Sequence, residues 1–160
     1  MNKQEKGRAA AARFKKRNPD KVRQYNKETK GRRLQAGLCR TCGKLPYIEE
    51  CTQCQLCIDK AKERYRRNKR IVYEHYGRVC VCCGEAEESF LSIDHINNDG
   101  VDRRKVHGNG SNFYTWIIAN QYPDDLQILC MNCQWGKRTH GRCPHQDPES
   151  PAYLGKRDDT

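Results

Sequence analysis

Apolar residues are scarce in this chain. Hydrophobic types make up 36% of its 160 residues, with only three Phe, two Trp and two Met, against the ~45–50% usual for globular domains. No stretch approaches the ~18 consecutive apolar residues of a membrane span. The first residues, MNKQEKGRAAAARFKKRNPDK, lack the apolar segment of a secretory signal. These absences argue against a membrane protein, a membrane partner and secretion, and the chain reads as intracellular. A single large apolar core is equally unexpected, because too little surface is available to bury.

What is abundant is sulfur and positive charge. Eleven cysteines stand among the 160 residues. The odd count, the missing signal and the close-spaced pairs favour metal thiolates over disulfides. Zinc answers the missing core, since its binding energy becomes folding energy in small domains. The formal net charge is +11 and unevenly distributed: residues 1–38 carry 13 basic and 3 acidic side chains, residues 58–78 carry 8 and 3, and residues 79–160 carry 8 and 12. A basic front half joined to a mildly acidic back half suggests an arm that holds a polyanion and a domain that acts on it.

Residues 1–37 read as a basic helical arm. Asn18-Pro19-Asp20 is a helix start, with an N-cap, Pro at the first helical position and an acid in the first turn, and Gly37 is a stop. Residues 38–57 read as a four-cysteine knuckle. Cys39, Cys42, Cys54 and Cys57 give C-x2-C-x11-C-x2-C, while Cys51 in place of Cys57 gives C-x2-C-x8-C-x2-C. Both spacings suit one tetrahedral zinc; the first is preferred because Cys57 then falls where a helix begins. Residues 58–78 read as a connector helix ended by Gly77. Ile58, Ala61, Tyr65, Val72 and Tyr76 fall near one face, and a basic face that includes Arg66 and Arg67 can follow a phosphate backbone.

Residues 79–145 hold a second pair of knuckles, Cys80/Cys83 and Cys130/Cys133, separated by 46 residues. Strands are expected at residues 90–93 and 126–129. A polar, glycine-containing loop is expected at residues 97–111, a short helix around Phe113, Trp116, Ile117 and Asn120, and another from Cys130 to near Gly141. One zinc on these four cysteines would hold a strand end carrying Asp94-His95 against the start of the helix carrying Gln134. Cys51, Cys82 and Cys143 are left over, and Cys143-Pro144-His145 reads as structural. Residues 146–160 read as a tail.

The order CVCCGE, LSIDHINNDG, LQILCMNCQWGKRTHGRCPH resembles the HNH endonucleases of the His-Me finger, or ββα-metal, class, in particular the small zinc-bearing ones encoded by bacteriophages. The resemblance covers about Val79 to His145. It implies a small, zinc-stabilised α+β protein whose C-terminal ββα-metal nuclease domain follows basic helices and a zinc knuckle. It also implies two structural zinc ions, a catalytic Mg²⁺ or other divalent ion, DNA as partner, and the host cytoplasm as location if phage-encoded. By resemblance His95 is the general base and Asp94 a metal ligand, and in-line attack leaves a 5′-phosphate and a 3′-hydroxyl. The chemistry is sound by itself: a histidine titrates near neutrality and can activate water, and oxygen ligands select a hard cation.

Two positions depart from the family. Where an Asn or His commonly follows the last knuckle cysteine, this chain has Gln134, whose amide oxygen can still ligate. The middle Asn of the motif falls on Asp125, a mainly structural position. Lys137 and Arg138 share a helix face with Gln134 and, with Arg103, Arg104 and Lys105, are candidates for contacting phosphate. The rival reading is a zinc-containing DNA-binding protein that keeps the HNH scaffold but has lost catalysis through Gln134.

Overall fold

The computed structural model describes residues 3–155, so Met1, Asn2 and Lys156–Thr160, the ends of the expected arm and tail, lie outside the described residues. The described residues form a small α+β protein. In chain order the elements are α1 (Lys3–Arg17), α2 (Pro19–Gln35), α3 (Gln55–Tyr76), β1 (Leu91–His95), α4 (Gly100–His107), α5 (Ser111–Ala119), β2 (Leu126–Cys130) and α6 (Met131–His140). No helix among the described residues is long and apolar enough to cross a membrane. The chain divides into two compact units, Met1–Lys62 and Glu63–Thr160, with the boundary inside α3.

In the first unit, Pro19 opens α2 as its sequence suggests. Asn18, however, makes no side-chain cap to α2; its amide donates to the Phe14 carbonyl at the end of α1. No residue of α2 is buried, as its sparse apolar positions require. Its last turn is tied to the knuckle by Arg33, whose guanidinium donates to the carbonyls of Arg40 (3.0 Å) and Thr41 (2.9 Å). The knuckle itself is a tight reversal, in which the Cys39 N–H donates to Leu45 and the Gly43 N–H to Cys39. Helix α3 begins at Gln55, three residues before the expected start, so Cys57 lies in its first turn.

In the second unit, β1 and β2 pair antiparallel with Leu91 opposite Cys130 and His95 opposite Leu126. The later half of α3 packs on this hairpin: Val72 and Tyr73 are buried, and the Tyr73 hydroxyl donates to the Leu91 carbonyl at 2.8 Å. Helix α5 adds Tyr114 and Ile117. The core cluster is Val72, Tyr73, Leu91, Tyr114, Ile117, Leu126, Ile128 and Leu129 together with Cys80, Cys82, Cys130, Cys133 and Cys143. Five of its thirteen side chains are therefore thiols, and a metal held by them would supplement the small apolar area.

One expectation is corrected. The stretch 97–111 is not a continuous loop, because residues 100–107 form α4. Its two valines, Val101 and Val106, are exposed, so no apolar periodicity announced a helix. Contacts elsewhere stabilise it instead: Arg103 pairs with both Asp99 and Asp125, and His107 is buried against Phe113 and Trp116. Gly100 and Gly108, read as loop markers, are its two ends.

Candidate functional site

Two four-cysteine sets suit a metal ion. In each of Cys39/Cys42/Cys54/Cys57 and Cys80/Cys83/Cys130/Cys133 the four sulfurs lie within 4.8 Å of one another. Sulfurs around a tetrahedral zinc with bonds of ~2.3 Å stand about 3.8 Å apart. Cys42 and Cys54 are 3.7 Å apart and Cys83 and Cys130 3.6 Å, so both sets fit zinc. Cys57, not Cys51, completes the first; the Cys51 thiol is directed to the Gln53 carbonyl. Burial pushes the Cys39 thiol up, but the backbone N–H groups of Cys42, Cys54 and Thr41 outweigh it and bring it down to about 5. Cys57, half-buried beside those thiols, is pushed up to about 12 by desolvation and then by the Cys54 thiol. In the second set Cys130 caps the N-terminus of α6, its sulfur accepting the Cys133 N–H at 3.4 Å. The set thereby joins β2, α6 and the Cys80 turn, and fixes where α6 begins.

That placement brings Asp94 and Gln134 together. Asp94 and His95 are both buried at the end of β1. The Asp94 carboxylate accepts Lys137 Nζ (2.6 Å) and Gln127 Nε2 (2.9 Å) on Oδ2, leaving Oδ1 facing the Gln134 amide at 3.5 Å. The Gln134 Oε1 accepts from the Ser92 hydroxyl at 3.0 Å. Oxygens on adjacent vertices of an octahedral Mg²⁺ with ~2.1 Å bonds stand about 3 Å apart. Exchanging the two ends of the Gln134 amide, which its hydrogen bonds allow, directs an oxygen toward Asp94 Oδ1 and an N–H₂ toward Ser92. With that exchange the pair would present two oxygens, beside the Lys137 ammonium that already pairs with the same carboxylate.

His95 is held by a residue the sequence reading missed. Its Nε2 lies 3.1 Å from Nε2 of His107, whose Nδ1 lies 2.6 Å from the Gly108 carbonyl. A carbonyl only accepts, so His107 Nδ1 carries the proton and its Nε2 accepts; His95 Nε2 then donates, and Nδ1 of His95 bears the lone pair. That atom faces Gly100, where a Cβ would stand only 2.8 Å away. Burial above all holds His95 below its ordinary pKa, which favours the neutral imidazole of this tautomer. Nothing in the sequence marked His107, a histidine closing a polar stretch; only the fold of α4 brings it to His95.

These groups border a cleft of about 550 Å³ lined by Asp94, His95, Gly100, Gln134, Arg104 and Arg138 among others. Of the residues read as contacting phosphate, Arg104 and Arg138 are exposed on this cleft. Arg138 also lies 5.8 Å from the ring of Trp135, itself exposed and lining the cleft. Lys105 is exposed and pairs with Asp102, and Arg66 and Arg67 are exposed on α3. Two others are turned inward. Arg103 joins α4 to Asp125, and Lys137 donates to Asp94 and to the His95 carbonyl (2.7 Å). Asp125 also accepts the Ile96 N–H on its carbonyl, and so ties both Ile96 and α4 to itself.

The fold and site define a small α+β protein with cysteine clusters able to hold zinc. No protein-family model matches the chain, and neither a curated protein nor a solved structure matches it.

Proposed function

We propose that the chain is a metal-dependent DNA endonuclease of the HNH, His-Me finger kind. The observation that carries this reading is the oriented His95, a buried imidazole whose Nε2 is engaged by His107, whose Nδ1 faces Gly100, and which lines with Asp94 a cleft bearing two arginines. Arg104 and Arg138 bind the phosphodiester as paired positive charges, and Trp135 offers an aromatic face to a base or sugar. His95 Nδ1 takes the proton from a water aligned with the phosphorus, and His107 keeps the ring in the tautomer that can do so. Asp94 and Gln134 would hold a divalent ion such as Mg²⁺, which supplies charge neutralisation at the phosphate and the departing oxygen. Lys137 holds the Asp94 carboxylate and the His95 backbone in register.

Lys137 also supports the second reading, a binding protein without catalysis. Its ammonium already neutralises Asp94, so the site is electrostatically complete without a cation. Incubation of zinc-loaded protein with supercoiled plasmid and Mg²⁺ or Mn²⁺ separates the two. The nuclease nicks or linearises the plasmid, and His95→Ala lowers the rate roughly 10²–10⁴-fold, the usual worth of a general base. A zinc-replete protein that binds the plasmid and leaves it intact with either ion is the binding protein.

A further inference from the structure

The residues left over from the two zinc sets are not scattered. Cys82, Cys143 and His145 converge on Cys133, and the three sulfurs and one imidazole nitrogen lie within 4.8 Å of one another. His145 Nδ1 is 3.3 Å from the Cys133 sulfur and 4.0 Å from that of Cys82. Three of the four are buried. Cys133 is at the same time a member of the set with Cys80, Cys83 and Cys130.

We infer that the second unit holds two zinc ions joined by the Cys133 thiolate, one on Cys80, Cys83, Cys130 and Cys133, the other on Cys82, Cys133, Cys143 and His145. Two four-coordinate ions need eight ligand positions, and the cluster supplies seven side chains. One ligand has to be shared, and Cys133 is the residue common to both sets. A thiolate sulfur has lone pairs for two metals, whereas the imidazole Nδ1 has one, so a cysteine is the chemically suitable bridge. Three cysteines and one histidine form a common closed structural zinc site. Six thiolates against two Zn²⁺ leave a net charge of −2 on the cluster, and six thiol protons leave as it assembles from protonated cysteines.

The backbone around the second site is shaped for it. Gly136 sits on α6 one turn beyond Cys133, and a Cβ there would meet Pro144 Cδ at 2.7 Å and the Cys143 sulfur at 3.7 Å. The missing side chain lets the Cys143–His145 segment lie close against the helix. The alternation in Cys80-Val81-Cys82-Cys83 serves the same end: Cys80 and Cys83 belong to one set and Cys82 to the other, so a single turn feeds both ions. The consequence is a helix held by metal on both sides of its first turn. With the knuckle in the first unit, the chain then carries three zinc ions, not two.

Native mass spectrometry of the full chain, with elemental analysis, tests this. The expected result is three zinc ions per chain, falling to two in His145→Ala and in Cys143→Ser. Exchange with ¹¹³Cd should give three resonances, two of which split each other through the shared sulfur. Two zinc ions unchanged by His145→Ala overturn the proposal, as do three that His145→Ala leaves in place. Two ions that become one in His145→Ala mean that the His145 set alone is metallated, which also overturns it. Because Cys143→Ser can fail to fold, Gly136→Val gives a second arm: it displaces the Pro144 segment while keeping every ligand, and should lower the count to two.

Discussion

His107 Nε2 stands 3.1 Å from His95 Nε2, and the opposite edge of the His107 ring is engaged by its neighbour's carbonyl, Gly108. With both rings neutral, this pairing leaves Nδ1 as the nitrogen of His95 that can accept a proton. His107→Leu should therefore lower nicking about 10–10²-fold with little change in DNA affinity, and His107→Gln, which keeps an acceptor, should recover part of the loss. Equal loss in both variants would reduce His107 to a packing residue.

The same imidazole has a pH signature. If neutral His95 is the working base, its pKa is lowered above all by burial, and the acid limb of the rate profile should lie below the ordinary histidine value of ~6.5. A limb at or above that value contradicts the assignment.

Gly100 leaves open the space in front of His95 Nδ1. Gly100→Ala puts a methyl group 2.8 Å from that atom, in the place the proposed mechanism gives to the attacking water. The loss in cleavage should approach that of His95→Ala, while zinc content and DNA affinity stay near wild type. Activity within a few-fold of wild type would mean that the water approaches from another side.

Lys137 and Asp94 form an ion pair that is nearly buried on both sides, with side-chain exposures of 13% and 10%. Lys137→Met leaves the carboxylate without its cation and should cost about 3–5 kcal/mol of stability, as for other broken buried pairs. If Asp94 is a metal ligand, Mg²⁺ should raise the Tm of this variant more than that of wild type, because the ion replaces the missing charge. Equal shifts, or none, would separate Asp94 from metal binding.

Gln134 is engaged by Ser92 on its oxygen and faces Asp94 with its nitrogen. Gln134→Asn should preserve or raise cleavage if the amide completes the ion's ligands. Gln134→Ala should raise the Mg²⁺ concentration needed for half-maximal rate and leave zinc content unchanged. Identical Mg²⁺ titrations for Gln134→Ala and wild type would remove Gln134 from the site.

The sequence by itself determined the elements whose signals are local. The C-x2-C pairs announced where sulfur gathers, Pro19 where α2 begins, and the apolar runs near Leu91 and Leu126 where the two strands lie, because turn, cap and alternation rules act between residues near in the chain. It also put Asp94-His95 at a strand end and Gln134 at a helix start. It did not determine what those side chains touch. Helix α4 has two exposed valines and no apolar face, and it exists through Arg103 reaching Asp125 and His107 lying under Trp116, partners 22 and 9 residues away along the chain. Lys137 shares a helix face with Gln134 as its spacing requires, yet Asp94, 43 residues earlier, draws its ammonium inward. Cys143-Pro144-His145 meets Cys82 and Cys133 only in the folded chain. Charge pairing and metal ligation depend on separation in space, and only the tertiary structure sets that distance.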